Sequence, residues 1–283
     1  MAMVRFFSFA AVVAFLIAAC ATPPSGSATA ADLEAPPPIL ATMEASRWTT
    51  LDGWRIHYWD WGPADASKVI LFIHGWANSG IEALPVAEVL TADASGGAYR
   101  VIAVDLPGCG FSDRPAKPID MKAYGRFVAD WVSLVNRKIA PGKERQRVLW
   151  GHSLGGHMAL TSLADWRFAP ATGKAPPPPR KDRLRKLALS RIDRLVLSSP
   201  AGLRGEAGGP AGLGGKELAP TFSALYTDSV YDWLAGSMIY ADLANTPGVV
   251  HDIEKLALRW NNGIKSLAFI TGDVLGSQPV DDL

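Results

Sequence analysis

Residues 147–165, RVLWGHSLGGHMALTSLAD, constrain the fold more tightly than any other stretch. An apolar run with strand character, RVLW, passes at once into Gly151-His152-Ser153-Leu154-Gly155. A segment with helical character follows from Leu154 to Asp165. A strand can turn into a helix over so few residues only through a sharp bend. The glycines on either side of Ser153 carry no Cβ, so the turn can tighten until the serine side chain stands clear at the strand's carboxyl end. The helix then offers N–H groups without intrahelical acceptors to negative charge developing nearby. Ser153 is a candidate nucleophile, and the N–H of Leu154 a candidate oxyanion donor.

The flanking sequence supplies the sheet that such a bend needs. Strand patterns fall at 54–61, 68–75, 99–108 and 147–151, within 191–202 and within 264–273. Helical patterns fall at 80–92, 120–139 and 154–165. Buried apolar strands alternating with helices predict an α/β fold, its sheet mostly parallel with helices on both faces. Apolar residues make up 48% of the 283, enough for a sizeable core.

Two further motifs share this frame. FIHGWANS (72–79) follows a buried strand, and its His-Gly pair leaves the backbone N–H of Trp76 able to face a substrate oxyanion. DLPGCGFSDRP (105–115) follows the next strand. The three motifs in this order resemble the α/β-hydrolase superfamily, within it the capped esterase, epoxide hydrolase and proline iminopeptidase branch, over about residues 48–273. The resemblance implies an eight-stranded sheet with a cap inserted after the sixth strand, at about 203–248. There Phe222, Tyr226, Tyr231, Trp233 and Tyr240 either line an apolar pocket or pack the cap's own core. The aspartate nucleophile of dehalogenases and epoxide hydrolases is replaced by Ser153, and serine points to acyl transfer on a small-molecule acyl substrate. The glycine-rich stretch 202–215 lacks the Lys-Ser or Lys-Thr pair of a phosphate loop and reads as a lid hinge.

A serine needs a general base within hydrogen-bond reach. The resemblance puts that histidine after the last strand, yet none of the five histidines lies beyond His251. His57 reads as structural, His74 as part of the His-Gly turn, and His152 as pointing away from its neighbour Ser153. His157 is placed in the helix beside the bend. His251, after the cap, has the freedom to approach. The family's spacing puts the acid at Leu275, so Asp273 is the candidate acid, ahead of Asp281 and Asp282; a solvated loop carboxylate is the plain alternative for each. The expectation is a shortened or divergent hydrolase in which the last helix, strand and histidine loop are missing, leaving the seventh strand's edge exposed.

The N-terminus reads as a targeting segment. Arg5 precedes an apolar run from Phe6 to Ala19, shorter than the roughly 20 residues a membrane span needs. The run ends Ile17-Ala18-Ala19-Cys20, which resembles a bacterial lipoprotein signal: Cys20 would carry lipid and become the mature N-terminus, and Ala21 leans towards the outer membrane. An ordinary cleavage site or an uncleaved anchor is the alternative. Residues 21–45, rich in Ala, Pro, Ser and Thr, read as a disordered stalk before a hydrolase domain at 46–283. With Cys20 lipidated, Cys109 has no disulfide partner. The basic segment PPPPRKDRLRKLALSR (176–191) reads as a peripheral helix with Leu184, Leu187, Ala188 and Ile192 on one face, either solvated on its basic side or touching an anionic membrane. Lys and Arg number 28 against 27 Asp and Glu, so charge gives no reason to expect a nucleic-acid partner. No metal or other cofactor is implied. Two functions remain: a membrane-tethered serine esterase, or an inactive hydrolase fold binding an apolar ligand or partner.

Overall fold

The structure is a computed structural model. It describes residues 35–92, 99–115, 119–167, 179–200, 227, 229, 231–232, 235, 246–260 and 263–270. Cys20, Asp273, Asp281, Asp282 and most of the expected cap interval lie outside these.

Six strands form one sheet: β1 (Ser46–Leu51), β2 (Trp54–Trp61), β3 (Lys68–Ile73), β4 (Tyr99–Val104), β5 (Gln146–His152) and β6 (Arg194–Ser198). Their spatial order is β1-β2-β4-β3-β5-β6. The pairs β1/β2 and β2/β4 are antiparallel, and β4/β3, β3/β5 and β5/β6 are parallel. The parallel strands need crossovers, supplied by α1 (Leu84–Thr91), α2 (Met121–Leu134), α3 (Leu154–Arg167) and α4 (Arg180–Leu189). After β6 come α5 (Gly248–Arg259) and α6 (Gly263–Phe269).

Alternation along the strands feeds two cores. Leu71, Ile73, Ile102, Val104 and Leu149 face one side, against Tyr124, Val128, Trp131 and Val132 of α2 and Met158 of α3. Ile70, Phe72, Val101, Ala103 and Val148 face the other, against Ala87 of α1 and Val250, Ile253 and Ala257 of α5. Each fully buried Leu, Ile or Val contributes about 1.5–3 kcal/mol, so the two layers hold the sheet between them. Asp120 caps α2, its side chain accepting the N–H of Ala123 at 2.7 Å. At the other end of α2 the chain widens into a π turn over Val135–Ile139. Packing begins ahead of β1: residues 38–42 form a 3-10 turn whose Leu40 is buried in the second core.

Two expectations are corrected. The stretch expected to hold the last strand, 264–273, contains α6 instead. Among the described positions, Gly263, Ser266 and Leu267 of α6 and Ile270 just after it are buried, an i, i+3, i+4, i+7 face. A short apolar run does not by itself distinguish a helix from a buried strand. The exposed edge of the described sheet is therefore β6, not a seventh strand; its Leu195 and Val196 are 36% and 38% exposed. In α4 the inward residues are Arg185, Ala188 and Leu189, whereas Leu187, expected on the apolar face, is 52% exposed.

Candidate active site

Chain direction decides where a site can lie. From β3 the chain crosses to β4 on one side; from β5 it crosses to β6 on the other. The two loops leave adjacent strands in opposite directions and open a crevice at their carboxyl ends. Ser153 lies there, between β5 and α3.

The bend has the geometry its sequence demands. Ser153 has φ 49°, a left-handed conformation that a non-glycine residue adopts only when its surroundings enforce it. Its N–H bonds to Ser198 O at 2.9 Å, and its carbonyl accepts the N–H of Gly156 at 3.0 Å. The side chain is half-buried, not sunk in packing. A Cβ on Gly155 would lie 2.3 Å from Ile73 O and 2.5 Å from His74 O; one on Gly151 would lie 2.5 Å from Gly156 Cα. Only glycine lets α3 start this close to the end of β3. Leu154 opens that helix, so its N–H has no intrahelical acceptor.

The loop after β3 (residues 74–79) closes the other side. A Cβ on Gly75 would stand 3.2 Å from Ser153 Cβ, so the loop that carries Trp76 lies directly against the serine. Ala77 holds φ 61°. Buried carboxylates secure this loop and the turn after it. Glu82 Oε2 accepts the N–H of Gly75 at 3.0 Å. Glu254 Oε1 accepts the N–H of Ser79 at 2.9 Å, and Asp105 Oδ1 that of Gly80 at 2.7 Å. Burial pushes the Asp105 carboxyl up, but His57 and the Phe111 N–H outweigh it and leave its pKa below the usual range. Glu254 has its pKa raised well above that range, by burial first and then by the proximity of Glu82 and Asp105.

The histidines are placed as follows. His57 is fully buried, its Nδ1 2.8 Å from Asp105 Oδ2 and its Nε2 2.9 Å from Ser46 Oγ, a structural position as expected. His74 Nδ1 donates to Gly75 O at 2.8 Å, and Nε2 accepts the Leu106 N–H at 3.1 Å. Both ring nitrogens are thus occupied, and burial keeps the ring neutral. His152 pairs with Glu82. His157 is buried in α3 with its pKa lowered by desolvation. His251 is half-buried on α5, its pKa lowered by burial and by Lys255. Among the described residues no histidine ring is hydrogen-bonded to Ser153 Oγ, and Glu254 of α5 is bonded to the β3 loop.

Beside the loop lies a cavity of about 10 Å³, lined among others by Asn78, Cys109, Arg114, Glu254 and Leu258. It has room for about one water and not for an acyl chain. Tyr231, expected in a substrate pocket or a cap core, is fully buried among Ala77, Leu258 and Leu267. Burial raises the Cys109 thiol to about 12, which keeps it protonated and unreactive. Arg114 Nη2 donates to Ala257 O at 3.0 Å and Trp260 O at 3.2 Å, caps the end of α5 and fastens it to the turn after β4. Among the described residues there is no metal-binding cluster of His, Cys, Asp and Glu, and no helix long and apolar enough to cross a membrane. Sequence reasoning missed Glu82 and Glu254, whose roles come from contacts that no local motif announces.

The comparisons agree with this architecture. The model of the alpha/beta hydrolase family matches residues 70–275. A non-heme chloroperoxidase of Streptomyces lividans is 39% identical over 108 residues, 38% of this chain and 35% of that protein. A haloalkane dehalogenase of Psychrobacter cryohalolentis is 43% identical over 84 residues, 29% and 24% of the two chains. The matched stretch thus spans about a third or less of these relatives' lengths. Among solved structures, a hydrolase from Pseudomonas aeruginosa superposes with a TM-score of 0.55 at 19% identity, over 83% of this chain and 74% of that one. A bacterial membrane phospholipase A superposes with 0.52 at 20% identity, over 81% and 66%. With the family model covering well over half its length, the chain belongs to the alpha/beta hydrolase family.

Proposed function

We propose that this protein is a serine hydrolase of carboxylic esters, with Ser153 as nucleophile. The observation that carries the reading is the strained, half-exposed Ser153 at the mouth of the crevice, with the β3 loop packed against it. Ser153 Oγ attacks the ester carbonyl carbon. The oxyanion takes hydrogen bonds from the N–H groups of Trp76 and Leu154, the alcohol leaves, and water cleaves the acyl-enzyme. The relatives' activities differ, and the nucleophile type argues between them. Attack of a serine on an alkyl halide or an epoxide would leave a stable ether on the protein, whereas attack on an ester leaves an acyl group that water removes. Asp273 is the proposed acid. The base that takes the Ser153 proton is outside the described constellation. Cys20, lipidated, would tether the domain to a bacterial envelope membrane, the outer membrane favoured by Ala21, and the solvent-facing basic residues of α4 are compatible with an anionic surface.

One observation favours a second reading: no described histidine serves Ser153, as expected of an inactive fold that binds an apolar ligand or partner. A fluorophosphonate probe on the full chain separates the two. Labelling that vanishes in Ser153→Ala supports the esterase; persistent labelling in that variant, or none in well-folded parent protein, sinks it. Metabolic labelling with a radioactive fatty acid, lost in Cys20→Ser, tests the anchor.

A further inference from the structure

Glu82 joins the two halves of the crevice. Its side chain is only 9% exposed. One carboxylate oxygen accepts the N–H of Gly75, the residue before Trp76, at 3.0 Å. The other pairs with Nδ1 of His152, the residue before Ser153. The two segments it joins are already in van der Waals contact, since a Cβ on Gly75 would come within 3.3 Å of the same His152 nitrogen. One carboxylate thus holds the main chain immediately ahead of the β3-loop donor and the imidazole of the residue immediately ahead of the nucleophile.

We propose that Glu82 is a positioning residue for the oxyanion hole: by bridging Gly75 and His152 it sets the spacing between the N–H groups of Trp76 and Leu154. The proposal rests on the serine-hydrolase reading of the site. Donors displaced by a fraction of an ångström lose most of their preference for the transition state, so the effect falls on kcat rather than on KM. Both carboxylate oxygens are engaged and the side chain is buried, so Glu82 acts through Gly75 and His152.

The bridge is charge-assisted, so it responds to pH. The hydrogen bond that His152 donates to Glu82 holds its pKa above the usual imidazole range against the cost of burial. Burial pushes Glu82 up, but His152 prevails and holds it below the usual range. His74 from the end of β3, Asp105 from the end of β4 and Glu254 from α5 also face this region. The charged pair is intact between the two displaced pKa values and weakens as pH rises through that of His152.

Two measurements on the full chain test the bridge: NMR titration of the His152 ring, and kcat and KM for p-nitrophenyl butyrate between pH 5 and 9. Glu82→Gln keeps an acceptor for Gly75 and removes the charge. It should lower the His152 pKa and move the alkaline limb of kcat to lower pH. Glu82→Ala removes both bonds and should lower kcat ten- to a hundredfold with KM within threefold. A folded Glu82→Ala protein with kcat within twofold of the parent overturns the proposal, as does a His152 titration unchanged in Glu82→Gln. A parent that neither labels nor turns over ester sinks the hydrolase reading, and with it the bridge's part in catalysis; the His152 titration then shows whether the bridge itself exists.

Discussion

Glu254 on α5 and Ser79 in the loop after β3, 175 positions apart, are joined by two hydrogen bonds, N to Oε1 at 2.9 Å and Oγ to Oε1 at 3.1 Å. They are the polar clasp between the helices after β6 and the loop against Ser153. The carboxyl is buried and its pKa lies well above the usual range, with burial as the main cause. A raised carboxyl pKa means the folded state binds the proton more tightly than the unfolded chain. Stability therefore falls as pH rises from the unfolded value near 4.3 through the raised one. Glu254→Gln keeps an acceptor for both bonds and removes the titration. It should raise Tm at pH 8 by several degrees and leave Tm at pH 4 nearly unchanged, as thermal unfolding followed by circular dichroism will report. An equal shift at both pH values would contradict a titrating clasp.

Asp105 predicts the opposite slope. Its carboxylate takes the N–H groups of Gly80 and Phe111 and lies 2.8 Å from His57 Nδ1. Burial alone would raise its pKa; these partners bring it below the usual range. Its stabilisation is in place above the unfolded value near 3.9 and is lost as pH falls through the lowered folded value. Asp105→Asn removes the charge from a buried site and should cost about 2–4 kcal/mol at pH 7, with a smaller penalty at pH 3. Urea unfolding at the two pH values measures the difference, and a penalty independent of pH would count against it.

These clasps mark the limit of what the linear sequence discloses. The strands β2 to β5 and the helices between them are legible because runs such as KVILFI and YRVIAV are buried on both faces. The bend at Ser153 is legible because a strand pattern runs straight into Gly-x-Ser-x-Gly and then a helix pattern; Gly151 is forced by Gly155 and Gly156 a few residues on, whereas the contacts that force Gly155 come from distant Ile73 and His74. β1, reading SRWTTL and only partly buried at the sheet edge, carries too weak an alternation to be seen. Residues 263–269 share the composition of a buried strand, yet they form α6. Glu82 and Glu254 are invisible for a different reason. Their bonds run from side chains to backbone N–H groups 7 and 175 positions away, and neither is a contact that a regular helix or strand makes.

Gly155 tests the bend itself. Adding one methyl group puts a carbon about 2.3 Å from Ile73 O and 2.5 Å from His74 O, both fixed main-chain atoms. Gly155→Ala must then push α3 away from β3, carrying the Leu154 N–H with it. The expected outcome is a loss of about 1–3 kcal/mol in stability and a more than tenfold drop in the rate of fluorophosphonate labelling. Labelling at the parental rate would mean that the helix start can move without disturbing the serine.

The orientation of α4 supplies a paired test. Arg185 is buried and bidentate on Asp130 of α2, its Nε 2.6 Å from Oδ1, while Leu187, two residues on, is 52% exposed. The pattern of apolar residues in the sequence argues for the reverse. In the structure the guanidinium points inward because its fork matches the Asp130 carboxylate, a geometry that lysine could not reproduce. Arg185→Ala leaves that carboxylate without its bidentate partner, with Lys181 3.6 Å away, and should cost about 3 kcal/mol. Leu187→Ser should change stability by less than about 0.5 kcal/mol. Denaturant titration of the two variants distinguishes the orientations directly. If Leu187→Ser proves the more damaging, α4 is rotated by about half a turn from the position described, its leucine rather than its arginine facing α2.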